Sequence, residues 1–161
     1  MIDYETIRKA ISSGLQAYLG VPVIRGNQTA PAPSYPYATY NPTTIATANN
    51  GTWQEDADAK DRQLVRSIWS LSFLSSNDDE SVMLATKARG WFAREGRAWL
   101  SERGVIVQST TDITNRDNIL TVEYERKNGF DVVFYVYDEA ESLKKSTGYI
   151  EDAELVRKIL I

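Results

Sequence analysis

Between Asp3 and Leu19 the apolar residues Tyr4, Ile7, Ile11, Leu15 and Tyr18 recur at steps of three and four, which places them on one stripe of a helix. Asp3 suits the N-cap, and Gly20 followed by Pro22 supplies the stop. The pattern then changes. Val21–Arg25 is a short apolar run suited to a strand. Gly26–Ser34 is predicted as loop, because Pro31, Pro33 and the nearby Pro36 fix φ and remove backbone donors. Tyr35–Tyr40 reads as extended, with Tyr35, Tyr37 and Thr39 on one face and Ala38 and Tyr40 on the other. Pro36 and Pro42 predict an edge position or a short strand there. Gln63–Ser75 has the clearest period of two. Val65, Ser67, Trp69, Leu71 and Phe73 point one way, and Arg66, Ile68, Ser70 and Ser72 the other.

Ser75–Asp79 reads as a turn and N-cap, and the carboxylates of Asp78, Asp79 and Glu80 complement a first helical turn. The helix is predicted to run to about Arg94, with Val82, Ala85, Ala88 and Phe92 as its stripe and Leu84 and Trp91 flanking it. Gly90 and Gly96 each weaken a helix by about 1 kcal/mol relative to Ala. A break is therefore expected near Glu95–Gly96, then a short helix Arg97–Glu102 ended by Gly104. Val105–Ser109 reads as a strand and Asn115-Arg116-Asp117-Asn118 as a turn. Ile119–Arg126 alternates as a strand, Lys127-Asn128-Gly129 reads as a hairpin turn, and Phe130–Tyr137 follows as the returning strand. Asn49-Asn50-Gly51 is a turn signal, and the acidic run from Glu55 to Asp61 belongs on an exposed hairpin or loop excursion. The tail Asp138–Ile161 ends in a short amphipathic segment, Ala153–Leu160. The order predicts an α+β fold: a mainly antiparallel sheet with two principal helices packed on it, in a single domain over 1–161.

Composition narrows the chemistry. Four Trp, nine Tyr and four Phe within a 42% hydrophobic chain supply a core, and 25% charged residues fit neither a disordered nor a membrane-embedded chain. No apolar run approaches the ~18 residues of a membrane span, so no membrane partner is expected. Asp3, Glu5 and the polar breaks around them argue against a signal peptide. A net charge of −4 and a pI near 4.9 disfavour general nucleic-acid binding. The chain has no Cys and no His, which excludes disulfides, Cys-containing zinc sites, thiol nucleophiles and any triad with a His base. Neither a G-x-S-x-G elbow nor a glycine-rich phosphate loop is present, and no cofactor is implied.

Carboxylates and aromatics remain. Asp56, Asp58 and Asp61 are spaced loosely like a calcium loop, but Asp61 and Ser67 stand where the loop needs its glycine and its final glutamate. A solvated acidic loop is the better reading. Glu123 and Glu125 share a strand face about 7 Å apart, a spacing that serves glycoside hydrolysis. Arg126 and Lys127 beside them favour an ion-pair network instead. Tyr35, Tyr37, Tyr40 and Trp53 suit either base or sugar stacking or a protein interface. Few cations surround them, with Arg25 the only one nearby before Lys60, so the interface reading is preferred.

Taken in order, Val23-Ile24-Arg25-Gly26-Asn27-Gln28, Pro31, Pro33, Pro36-Tyr37, the serine-rich strand Ser67–Ser72, Trp91-Phe92, Glu125-Arg126 and Gly129-Phe130-Asp131-Val132 resemble the neck or tail terminator proteins of tailed bacteriophages. The resemblance covers roughly Ile11 to Tyr137. It implies a non-enzymatic virion protein at the tail–head junction, made in the host cytoplasm, whose ring, commonly a hexamer, caps the tail tube and stops its polymerisation. The implied partners are its own copies, the tail tube protein and a head completion or connector protein, with DNA only as passing cargo. On this reading Arg25, Asn27, Gln28, Tyr35, Tyr37, Tyr40 and Trp53 are candidates for a subunit or tube interface, and Asp56, Asp58 and Asp61 for an acidic loop facing the channel. The alternatives are another head–tail completion ring and a small carboxylate-based cell-wall hydrolase.

Overall fold

A computed structural model describes residues 1–47, 53–55, 60–117 and 125–141. The first helix, α1 (Tyr4–Leu19), forms where the periodicity places it. Asp3 caps it by accepting the Thr6 backbone N–H at 3.1 Å and the Thr6 hydroxyl at 2.7 Å. Gly20 ends it in the left-handed region at φ 71°, and its N–H closes onto the Gln16 carbonyl at 2.9 Å. Ile7, Ala10, Ile11 and Leu15 form the buried stripe, while Tyr18, expected in it, is 46% exposed. The Gln16 side chain accepts the Val23 N–H at 3.2 Å, tying the helix end to the strand that follows.

Among the described residues seven strands build one sheet: β1 (Val23–Arg25), β2 (Tyr37–Thr44), β3 (Gln54–Glu55), β4 (Lys60–Ser75), β5 (Val105–Thr110), β6 (Thr114–Asn115) and β7 (Arg126–Glu141). The main order is β1-β2-β4-β7-β5, with β3 on β4 and β6 on β7. Only β1 and β2 pair in parallel; every other described pairing is antiparallel. The β2 strand runs past its predicted end and through Pro42. Its β1 partner reaches only to Tyr40, so Pro42 lies where no donor is needed on that side.

The centre of the sheet is the β4–β7 ribbon, paired from Lys60 opposite Glu141 to Ser75 opposite Arg126. This corrects the predicted hairpin turn at Lys127-Asn128-Gly129, which is continuous strand. A two-residue hairpin of that kind needs positive φ. Among the described residues only Gly20, Asn27 and Gly104 have it. Tertiary contacts override the local signal. Buried Asn128 donates its N–H to the Ser81 hydroxyl at 3.1 Å and its side-chain amide to the same oxygen at 3.0 Å. Gly129 passes so close to β4 that a Cβ would lie 2.1 Å from the Leu71 carbonyl oxygen. The predicted strand Ile119–Arg126 and the turn at Asn49-Asn50-Gly51 fall largely or wholly outside the described residues, as does most of the tail.

One face of the sheet is the core face. Val65, Trp69, Leu71 and Phe73 of β4 stand beside Phe130, Val132, Phe134 and Val136 of β7, all buried. Against them pack α1, α2 (Asp78–Ala93) and α3 (Glu95–Ser101). The buried stripe of α2 is Ser81, Leu84, Ala85, Ala88, Trp91 and Phe92. Val82, predicted to be in it, is 41% exposed, and the two flanking residues Leu84 and Trp91 take the core positions. Phe92 meets Phe130 edge-on at 6.1 Å, and Phe130 stacks on Phe73 at 5.9 Å. The expected break falls at Arg94, whose φ of −126° and ψ of −102° are not helical. It lets α3 fold back on Trp91, where Gly96 has no Cβ to strike an indole that would be only 2.2 Å away.

The other face carries Leu64, Arg66, Ile68, Ser70 and Ser72 from β4 and Tyr135 and Tyr137 from β7. The described helices all pack on the core side.

Candidate assembly surfaces

The loop after β1 starts with a hydrogen bond from the Gly26 N–H to the Tyr40 carbonyl at 2.8 Å, and Asn27 then turns the chain at φ 59°. Arg25, Asn27 and Gln28 line one open surface groove together with Arg8 and Asn41. The chain returns through Tyr35 and Tyr37, whose rings stack at 5.6 Å and 12°. Tyr35 is outermost at 40% exposure, and its hydroxyl donates to the Glu125 carboxylate. Tyr37 is buried beneath it; burial raises its phenol pKa, and the Glu125 charge adds to the shift. Tyr40 is a core residue, 4% exposed and stacked on Trp69 at 5.2 Å. It is thus removed from the surface expected of it, because β2 alternation turns it toward the helices. Trp53 is 40% exposed just before β3. Asp61 is half-buried in β4 opposite Glu55, while Asp56 and Asp58 lie outside the described residues. Of the two carboxylates considered for hydrolysis, Glu125 holds the Tyr35 hydroxyl, and Glu123 also lies outside them.

Sequence reasoning missed Arg116. Its guanidinium lies on the second sheet face, donating to Ser70 Oγ at 2.5 Å, the Leu71 carbonyl at 3.2 Å, Ser72 Oγ at 3.4 Å and Asp131 Oδ1 at 3.0 Å. Next to it, Asp117 accepts the Lys127 N–H at 2.6 Å, Arg126 Nη1 at 3.1 Å and the Asn115 amide at 3.2 Å. The backbone hydrogen bond from Lys127 is the main reason its carboxyl titrates below the usual range, with the Asn115 and Arg126 contacts adding to it. Of the predicted turn Asn115–Asn118, Asn115 closes β6 and Asp117 anchors the chain after it to β7, while Asn118 lies outside the described residues. The outward serines of β4 were the available signal: small hydroxyls on a strand leave room for a long donor to lie across them.

The sequence model of a family described as phage neck terminator protein matches residues 9–159. The match takes in most of the tail beyond Asp138, which the sequence resemblance did not reach. No curated protein matches the chain. One solved structure similar to it shares 15% identity at a TM-score of 0.41, covering 84% of this chain and 96% of that one. With nearly its whole length matched, this chain belongs to the phage neck terminator proteins, structural components of the virion.

Proposed function

We propose that the protein closes into a ring of identical subunits, a hexamer, that caps the finished tail tube, ends its polymerisation and joins the tail to the head. The family match over residues 9–159 carries this reading. The sheet supports it, since its outer face and edge hold the large apolar side chains Ile106 and Tyr137 at 37% and 42% exposure. Ring closure needs two different surfaces of one subunit to meet, and edges β1 and β5 are unlike in length and charge. The partners are further copies, the tube protein and a head completion or connector protein, with DNA passing through. The acidic segment with Asp56, Asp58 and Asp61 would face the channel and keep phosphates from adhering.

Light scattering on a size-exclusion column, run as a concentration series with negative-stain images, tests the ring. A closed species of six times the 18.1 kDa chain supports it. Tube length in assembly reactions with purified tube protein tests the capping role: tubes should stop growing when the protein is added. Tubes that lengthen regardless would refute the terminator role.

A further inference from the structure

Two cations wall the groove at the β1 edge. Arg8 lies one helical turn beyond Tyr4 on α1, and Arg25 ends β1; both line the groove with Asn27, Gln28 and Asn41. No acidic side chain lines it, and neither arginine makes an ion pair among the described residues. The enclosed Tyr4 hydroxyl has no hydrogen-bond partner among the described residues, and the charges of Arg25 and Arg8 both act on it against the effect of burial. The site therefore presents two guanidiniums and side-chain amides; the carboxylate felt by Arg8, that of Glu5, is outside the groove lining and already paired with Lys9 at 2.6 Å. Fork-shaped donors of this kind match a carboxylate.

The complementary charge lies at the far edge of the same sheet. Asp112, just beyond β5, has a side chain 98% exposed, and its contact with Arg89 is 4.0 Å long. Edges β1 and β5 are four strand spacings apart, about 19 Å. Both charges lie toward the helix layer, Arg8 on α1 and Asp112 beside Arg89 of α2. In a head-to-tail ring the β1 edge of one subunit meets a different edge of the next. We propose that the Arg8–Arg25 groove takes the Asp112 carboxylate of a second copy of this chain. This rests on the ring reading above.

The test is a charge swap on the full chain, read by light scattering as a concentration series. Arg8→Glu with Arg25→Glu should raise the concentration needed for assembly by about a hundredfold, since like charges then face each other. Asp112→Lys should do the same. The triple variant carrying all three changes should assemble near the wild-type concentration, as should a one-to-one mixture of the double and single variants. Thermal melts by circular dichroism should stay within a few degrees of wild type, because Arg25 and Asp112 are exposed and Arg8 is only partly buried. Should the charge reversals unfold the chain, Arg8→Gln with Arg25→Gln should still weaken assembly and flatten its salt dependence. A wild-type ring together with an undisturbed double variant, or a triple variant as impaired as the double, overturns the docking contact and leaves the ring intact. A wild-type chain that stays monomeric in solution and on tubes overturns both.

Discussion

Arg116 Nη2 sits 3.0 Å from Asp131 Oδ1, and the same guanidinium reaches the Leu71 carbonyl on the neighbouring strand. One side chain thus bridges β4 and β7 on the face opposite the helices. Its side chain is only 24% exposed, so these are partly desolvated, charge-assisted bonds. Arg116→Ala should cost about 2 kcal/mol of stability, seen as a lower urea midpoint. Arg116→Lys should recover only part of it, because an ammonium cannot span both strands as a fork does.

Gly129 and Gly90 should respond oppositely to the same change. A Cβ at Gly129 meets the Leu71 carbonyl at 2.1 Å, so Gly129→Ala should destabilise by about 3 kcal/mol. Nothing lies within 4 Å of a Cβ at Gly90, which is inside α2, so Gly90→Ala should stabilise by up to about 1 kcal/mol. Paired denaturation curves check both signs.

Asp117 predicts an acid-side loss of stability. Its folded pKa lies below the unfolded value of about 3.9, so its contribution is present above that pH and disappears as pH falls toward the folded value. Asp117→Asn should lower stability at pH near 7 and shrink the difference between pH near 7 and pH near 3. An unaltered pH difference in the variant would remove Asp117 from the account.

The aromatic candidates separate by role. Tyr40→Ala should cost about 3 to 5 kcal/mol, since it empties a core position stacked on Trp69. Trp53→Ala should leave the thermal midpoint of the subunit within a degree or two, and any effect should appear in assembly. A large drop in midpoint for Trp53→Ala would make it a folding residue instead.

Some of this was legible because it is local. The cap at Asp3, the stop at Gly20 and the α1 stripe all lie within a few residues of one another. The β4 alternation was legible because from Leu64 to Leu71 one face is buried and the other is not. The Asn128-Gly129 signal misled because Ser81 and Leu71, far away in sequence, set the backbone there. Arg116 was hidden for the same reason: Ser70 and Asp131 lie 46 and 15 residues from it. Tyr40 and Tyr35 look alike in sequence, and only β2 pairing decides which one turns inward.

The β4–β7 ribbon has a mechanical consequence. Burial of β4 on the core side begins at Val65, while pairing with β7 extends on to Lys60. The outermost rungs therefore form an arm that runs roughly 17 Å past the last core residue of β4, at the rise of an extended strand, flanked by β3 and by the Met1 amino group. Drawn along its length, the arm loads all the rungs in shear at once and is stiff; pried apart at the tip, it opens one rung at a time. The ribbon beyond Val65 is thus strong in one direction and yielding in another.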